Sequence, residues 1–202
     1  MSSRKFFLLP LAAAAFLALG AATASAHRDV ASSGPSVSRC GSLWQLRTLS
    51  DSNRGRVNMN AVDSSVAALG ARSAPGRSPS SRDAFERQTY KVVAQIVKFR
   101  ADSQGLHMVL FKDDAYMHAF LPSAGCLPSY ARARSVMVAT RAWFNKNCGA
   151  PSSSWKPLGA LVRFTGVGFW GARNLSGAAP NGAQLSPVYG MNPAAGCGAA
   201  GG

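Results

Sequence analysis

Residues 84–191 contain a fixed order of apolar segments, and this order restricts the fold more than any other feature of the chain. Three segments rich in β-branched or alternating apolar residues come first, a helical pattern follows, and two further β-type segments end the series. This β-β-β-α-β-β order is that of the OB-fold, a five-stranded, partly open barrel. We therefore predict a mainly β chain with one helix, an OB-fold-like five-stranded barrel with an N-terminal extension. A general α+β sheet with the same order is the alternative.

The helical pattern lies between the third and fourth β-type segments. We expect a helix over residues 129–145, with Ser129 as its N-cap, because serine is a favoured capping residue. The predicted buried face consists of residues at helical spacing: Ala133, Met137, Thr140 and Phe144.

Three local signals refine the β-type segments. Gly166 and Gly168 predict a bulge or tight bend in a curved strand. Pro187 predicts that the last strand lies at a sheet edge or at the barrel rim, because proline cannot donate to a strand ladder. Residues 43–49 alternate between two sets of side chains and predict a short strand around Trp44 in the N-terminal extension.

The first 26 residues have the three parts of a secretory signal peptide. Arg4 and Lys5 form a positively charged start, residues 6–20 are apolar, and Ala24-Ser25-Ala26 is a small-residue cleavage signature. We expect cleavage after Ala26 and an exported mature chain, periplasmic or secreted, because no later segment approaches a membrane-spanning length.

Composition divides the remaining chain into three parts. We expect an N-terminal extension and a Ser-, Pro- and Arg-rich linker at 27–83, the barrel domain at 84–191, and a Gly/Ala-rich tail at 192–202. Several arginines fall in the stretches that we expect to be weakly ordered: Arg72, Arg77 and Arg82.

The chain is strongly basic, with 22 Lys and Arg against 8 Asp and Glu. Removal of the first 26 residues leaves 20 basic and 8 acidic residues, a formal charge of +12. Such an excess favours polyanionic partners, and we expect single-stranded nucleic acid or an acidic polysaccharide. A basic surface that serves solubility alone is the alternative, and the sequence does not indicate the oligomeric state.

Four cysteines lie beyond the expected cleavage site, an even number that indicates two disulfides in an exported protein. The ends of a helix over 129–145 lie roughly 20–25 Å apart, whereas disulfide-linked Cα atoms are about 4–7 Å apart. A bridge between Cys126 and Cys148 is therefore disfavoured, and we favour Cys40–Cys126 with Cys148–Cys197. No CxxC spacing supports a metal site.

The two short β-type segments at 105–111 and 115–122 predict a hairpin. With Asp113 and Asp114 as the central turn residues, Phe111 pairs with Tyr116, Val109 with His118, and His107 with Phe120. Because side chains alternate along a strand, one face of the hairpin is wholly apolar and is the natural barrel core. The other face mixes aromatic residues with two imidazoles: His107, Val109, Phe111, Tyr116, His118 and Phe120.

Three interpretations of this second face compete. It is a structural surface covered by the segment around Trp44, or a binding surface, or a catalytic or metal pair of histidines. As a binding surface it occupies the second and third strands of an OB-fold, where such barrels bind oligonucleotides and oligosaccharides. The aromatic rings of Phe111, Tyr116 and Phe120 would then stack on the ligand, and nearby cations would neutralise phosphates: Lys98, Arg100, Lys112 and Arg163.

A catalytic or metal pair would need a third ligand or an orienting carboxylate, and the sequence shows none near His107 and His118. Acidic residues are also too sparse for a nuclease of the staphylococcal type, and the glycine-rich GVGFWGA lacks the helix start and lysine of a nucleotide loop. We therefore expect a binding module without a cofactor, and assign no catalytic or metal-binding residue. A structural envelope protein is one alternative. A hydrolase or nuclease that uses His107 and His118 is the other.

Several motifs in fixed order carry a resemblance over residues 40–190. They are WQLRTLSD, YKVVAQIVKF, LHMVLFKD, the P-x-x-x-C of Pro122 to Cys126, RFTGVGF and APNGAQLSPV. Together they resemble a family of exported bacterial proteins with a small OB-like barrel. The family usually has acidic residues just before the position of His107, where this chain retains only Asp102, and an L-H-P-V motif where this chain has Ser186. The resemblance implies the fold and export, and no chemistry.

Overall fold

The computed structural model describes residues 37–76 and 81–197. Its helices are α1 (Val37–Cys40), α2 (Trp44–Arg47), α3 (Val66–Gly70) and α4 (Arg134–Asn147). Its strands are β1 (Asn58–Ser64), β2 (Gln88–Ala101), β3 (Gly105–Lys112), β4 (Ala115–Pro122), β5 (Lys156–Pro157), β6 (Leu161–Trp170) and β7 (Ala183–Ala195). The predicted signal peptide, Arg77 and the tail after residue 197 lie outside the described residues. None of the described helices is long and apolar enough to cross a membrane.

Five strands close into a barrel. They neighbour one another in the order β2, β3, β4, β7 and β6, and β6 returns to pair with β2. The pair β4–β7 is parallel, whereas the other four pairs in the barrel are antiparallel. Helix α4 lies between β4 and β6 in the chain, so the predicted strand and helix order and the OB-fold-like barrel are confirmed.

The hairpin of β3 and β4 has the predicted register. Phe111 pairs with Tyr116, Val109 with His118, and His107 with Phe120. Asp113 and Asp114 have φ angles of 50° and 58°, as a two-residue turn between twisted strands requires at both central positions. The apolar face points into the barrel, and each of its side chains is at most 1% exposed: Leu106, Met108, Leu110, Met117, Ala119 and Leu121.

Helix α4 begins later than predicted, at Arg134, so Ser129 is not its N-cap. The backbone N–H of Ala131 donates to Pro128, and that of Arg132 donates to Leu49 in the N-terminal extension, which holds this segment outside the helix. The predicted buried face is confirmed at Met137, Thr140 and Phe144. The Thr140 hydroxyl also donates to the carbonyl of Tyr189, which fixes α4 against β7.

The glycines of β6 lie where the strand bends, as predicted. The β6–β7 register shifts on both sides of Gly166, and a Cβ at Gly168 would lie 2.6 Å from the carbonyl oxygen of Phe85. Pro187 predicted a strand at a sheet edge or at the barrel rim. The strand β7 is not an edge strand of the barrel, because it lies between β4 and β6, but its pairing with β4 is limited to Gln184 and Leu185, and Pro187 lies beyond it. Pro187 lies in the extra length of β7 between paired positions, a bulge where no ladder hydrogen bond is needed.

The strand predicted around Trp44 is also wrong, since residues 44–47 form the short helix α2. Local hydrogen bonds favour the helix: the N–H of Arg47 donates to Leu43, and the Thr48 hydroxyl donates to the carbonyl of Trp44. The extension contributes a strand that the sequence did not reveal, β1, which runs parallel to β2. Outside β1, buried side chains of the extension join the barrel core: Leu49, Val57, Val66 and Leu69.

Arg82, which we expected in a weakly ordered stretch, is buried. Its guanidinium lies 2.7 Å from Asp51 Oδ1 and also donates to the carbonyls of Glu86 and Leu46. Arg72 lies near the rings of Phe85 and Tyr90. These arginines therefore hold the extension against the start of the barrel.

Both predicted disulfides are present. Cys40 and Cys126 have Cα atoms 5.6 Å apart, and Cys148 and Cys197 have Cα atoms 4.4 Å apart. The first bridge ties α1 to the segment after β4, and the second ties the end of α4 to the segment after β7.

Candidate functional site

A groove of about 800 Å³ lies beside the outer face of β3 and β4. Its walls come from the end of β2, from the loop between β6 and β7, and from α2 of the extension. In OB-folds, the second and third strands and the loop between the fourth and fifth strands form the ligand-binding face. The groove occupies that position here. Its charged and aromatic lining consists of Arg47, Lys98, Arg100, His107, His118, Trp155, Phe169 and Trp170.

Arg47 reaches the groove from α2. Its guanidinium carbon lies 3.7 Å from the ring centroid of Phe120, and its Nε donates to the Ser186 hydroxyl at 3.3 Å. Burial lowers the pKa of Arg47 to about 10, partly offset by the charge of Asp102, so this side chain stays cationic at neutral pH. The ring of Phe120 beneath it is only 4% exposed.

Trp155 provides an exposed ring beside two cations. Its side chain is 40% exposed and lies in the segment just before β5. Lys98 Nζ and Arg100 Cζ lie 5.1 Å and 5.3 Å from its ring centroid, within the range of cation–π attraction. The end of β2 and Trp155 therefore place two positive charges and one aromatic ring together at the groove.

His107 is held by a carboxylate that the sequence did not reveal. Its buried Nε2 lies 3.0 Å from Asp102 Oδ2, within ion-pair distance, and makes no hydrogen bond of good geometry. The second oxygen of Asp102 accepts from the N–H groups of Gln104 and Gly105, and Arg100 lies 3.3 Å from Oδ2. The expectation that no orienting carboxylate lies near the histidines is therefore wrong. A signal was present in the chain order, because Asp102 directly follows β2 and a short loop leads from it to His107 in β3.

The pKa values of this pair follow from their surroundings. Burial lowers the pKa of His107 below 6.5, against the raising effect of Asp102, and the charges of Arg47 and Arg100 lower it further. Partial burial alone would raise the pKa of Asp102, but His107 and the two backbone N–H groups lower it overall. At neutral pH the site therefore contains an ionised carboxylate beside a mainly neutral imidazole.

His118 is held from the β6–β7 loop. Its Nε2 lies 3.0 Å from the carbonyl oxygen of Ser176, which can only accept, so Nε2 carries the proton in the neutral ring. Burial lowers the pKa of His118, the Ser176 carbonyl opposes this, and Lys98, Arg100 and Arg47 lower it further. The next loop residue, Gly177, covers Val109: a Cβ there would lie 2.5 Å from a Val109 methyl carbon.

The structure brings together four of the predicted binding residues, His107, His118, Lys98 and Arg100. The other five do not line the groove. Phe111 and Tyr116 pack on each other near the hairpin turn, with ring centroids 4.7 Å apart, and Lys112 pairs with Asp113 there. Phe120 is buried beneath Arg47. Arg163 is an exposed residue of β6.

The segment around Trp44 thus covers part of the second face of the hairpin, as the structural interpretation expected. The aromatic ring offered to a ligand is Trp155, which the sequence analysis missed. Its three preceding serines are typical of a surface loop, and a tryptophan in such a loop is a signal that could have identified it. Arg47 and Phe169 had no comparable signal, since only the tertiary fold brings them to the groove.

Within residues 37–76 and 81–197, no group of three or more His, Cys, Asp or Glu side chains is arranged to hold a metal ion. The groove therefore offers cations, an exposed indole and two imidazoles. These groups can neutralise anionic oxygens, stack on planar rings and transfer protons.

Comparison with known proteins gives no family. No protein-family model and no curated protein matches the chain. Among solved structures, it is similar to a "putative aspartyl-tRNA synthetase" from Leishmania major Friedlin, at a TM-score of 0.42 and 11% sequence identity. The match covers 69% of this chain and 22% of that chain.

Proposed function

We propose that this protein is an exported module that binds single-stranded nucleic acid in the groove beside β3 and β4. The observation that carries the proposal is the placement of Trp155 beside Lys98 and Arg100 at the ligand-binding face of an OB-like barrel. Proteins that bind single strands combine a positively charged groove with aromatic rings on which bases stack. A single strand exposes both base faces and phosphates, so it suits both features.

The charge of the groove supports an anionic ligand. Arg47, Lys98 and Arg100 supply three positive charges, and Asp102 beside Arg100 offsets one of them. Arg47 is already stacked on Phe120 and bonded to Ser186, so it is preorganised and loses little conformational freedom on binding. Phosphates are the anions that this spread of cations along a groove would neutralise.

Export is part of the proposal. The first 26 residues have the composition of a signal peptide, and the two disulfides are typical of oxidising compartments outside the cytosol. The resemblance to exported bacterial proteins with an OB-like barrel supports the same location. The function of the protein in that compartment would be to bind nucleic acid released from cells or carried at the cell surface.

The test is a fluorescence-anisotropy titration of labelled single-stranded DNA with the chain from residue 27, across a salt series. Each phosphate neutralised on a single strand contributes about −0.7 to the slope of log K against log salt. The Lys98→Ala/Arg100→Ala variant should weaken binding and reduce the slope by about 1.4. The Lys146→Ala variant removes an exposed cation of α4 outside the groove, and it should leave the slope unchanged.

A second ligand separates base recognition from charge alone. An abasic strand of the same length keeps the phosphates and removes the bases, so it should bind more weakly than DNA. Equal binding of both strands would favour a general polyanion site, such as one for acidic polysaccharide. No binding of DNA at low salt would refute the proposal and favour a structural role.

A further inference from the structure

The two histidines of the groove are arranged for proton transfer, which binding alone does not require. We propose that the protein cleaves RNA at this site by metal-independent transfer of the phosphate to the neighbouring 2′-hydroxyl, with His118 as general base and His107 as general acid. This inference rests on the proposed nucleic-acid binding in the groove. It goes further because it assigns a reaction, its substrate class and a role for each imidazole.

The geometry of the hairpin places the two rings near one phosphate. His107 and His118 lie on the same face of β3 and β4, and they are diagonal neighbours because His107 pairs with Phe120 and His118 with Val109. Diagonal neighbours have Cα atoms about 7–8 Å apart. Both side chains line the same groove, together with Lys98 and Arg100. A phosphodiester held by these cations would therefore lie within reach of both rings.

The partners of the rings assign their roles. Asp102 lies beside Nε2 of His107 and stabilises the imidazolium, which an acid must be before it donates. His118 has no carboxylate partner, and the cations near it, Lys98, Arg100 and Arg47, favour its neutral form. The Ser176 carbonyl fixes the proton of His118 on Nε2, which leaves Nδ1 with the lone pair of a base. Nε2 of His107 is buried beside Asp102, so the proton for the leaving group would come from Nδ1.

The reaction balances without any further reactant. His118 removes the proton of the 2′-hydroxyl, the 2′-oxygen forms a bond to phosphorus, and the bond from phosphorus to the 5′-oxygen breaks. Protonated His107 gives its proton to the departing 5′-oxygen. The products are a 2′,3′-cyclic phosphate and a 5′-hydroxyl, and exchange of protons with water restores both rings. Lys98 and Arg100 would neutralise the negative charge that develops on the phosphoryl oxygens.

The experiment uses the disulfide-bonded chain from residue 27 with labelled oligouridylate and oligodeoxythymidylate, in buffer containing EDTA. Cleavage and binding are measured in the same samples, by gel electrophoresis and by anisotropy. We expect RNA to be cut to fragments that end in 2′,3′-cyclic phosphate, and DNA to be bound without cleavage because it lacks the attacking hydroxyl. His118→Gln and His107→Gln should each slow cleavage of the bound strand by about 10²-fold or more, while the melting temperature stays close to that of the unmodified chain. Anisotropy in the same samples separates this loss of rate from any change in affinity.

Asp102 acts through His107 and is tested by a pH profile. The cleavage rate should have a bell-shaped pH profile with its maximum below pH 6.5, because the surroundings lower the pKa of both rings. Asp102 opposes this lowering at His107, so Asp102→Asn should move the alkaline limb of the bell to lower pH. A uniform loss of rate with no movement of the limb would mean that Asp102 only supports the fold and would refute its positioning role.

The outcomes are distinguishable. Binding of RNA without cleavage would refute the reaction and leave the binding proposal intact. Failure to bind either strand would refute both. Cleavage that persists in the His107→Gln/His118→Gln variant, or equal cleavage of DNA, would refute the assignment of the two rings.

Discussion

Loss of the Asp51 carboxylate should lower the free energy of unfolding far more than loss of any exposed charge. The Arg82 side chain is fully buried, and that of Asp51 is 10% exposed. Arg82 donates to Asp51 Oδ1 from two nitrogens, at 3.0 Å and 2.7 Å, and the second oxygen of Asp51 accepts from the N–H of Asn53. In an Asp51→Ala variant the guanidinium keeps only the carbonyls of Glu86 and Leu46 as partners.

The expected cost is that of a buried charge left without its counterion, about 3–5 kcal/mol of unfolding free energy. For a chain of this size, such a loss lowers the melting temperature by roughly 6–20 °C. Urea denaturation followed by circular dichroism, with the disulfides intact, measures the free energy directly. Asp63→Ala removes an exposed carboxylate of β1 as a control, and it should change stability by no more than about 0.5 kcal/mol.

A double variant separates the charge effect from a loss of packing. Asp51→Ala/Arg82→Met removes the buried cation together with its partner, so it should recover at least half of the stability lost in Asp51→Ala. A loss below about 1 kcal/mol for Asp51→Ala would contradict the argument, because an exposed ion pair contributes no more than that. The result matters for the groove, since Arg82 bonds the backbone of Leu46, the residue before Arg47.

Two further predictions concern the barrel. Gly168→Ala should destabilise the chain by about 1–3 kcal/mol in thermal melts, because the added Cβ would contact the carbonyl of Phe85. The control Gly55→Ala meets nothing within 4 Å and should be nearly neutral. Equal effects of the two substitutions would contradict the close approach at β6. Burial raises the pKa of Glu86, so the native state binds this proton more tightly than the unfolded state does. The stability that the protonated carboxyl contributes at low pH is therefore lost as the pH rises through the folded pKa. Glu86→Gln should therefore be more stable than the unmodified chain at pH 7 in urea denaturation, and this difference should vanish below pH 4.5. A difference that stays constant across this pH range would show that burial does not destabilise the carboxylate.

The barrel was predictable because its signals are local. The alternation of the hairpin residues and the Asp113-Asp114 turn fixed the register, and a long helix between Cys126 and Cys148 excluded one disulfide pairing. The same kind of signal failed in the extension. The alternation around Trp44 is too short to separate a strand from one turn of helix, and the residues of β1 carry no apolar period because most of them are exposed.

The site was predictable only in part. The positions of its histidines and of the cations of β2 follow from strand pairing. The two histidines lie on the same face of β3 and β4, and the end of β2 pairs with β3 beside them. The aromatic residues that share that face, Phe111 and Tyr116, remain near the turn, and the fold places Trp155 at the groove from a segment far away in sequence. Long-range docking also explains Arg47 and Arg82. Whether an arginine lies in a linker or in a buried ion pair depends on a partner that no local pattern identifies.

The most direct test of the account is which aromatic residues a single strand contacts. Anisotropy titrations with labelled single-stranded DNA should compare Trp155→Ala with Phe111→Ala/Tyr116→Ala. Loss of a stacked base costs about 1–3 kcal/mol, which corresponds to a roughly 5- to 150-fold weaker affinity. We expect this loss for Trp155→Ala and less than about a twofold change for the double variant. The opposite result, with binding lost in the double variant and retained in Trp155→Ala, would place the ligand at the hairpin turn and contradict the groove as the binding site.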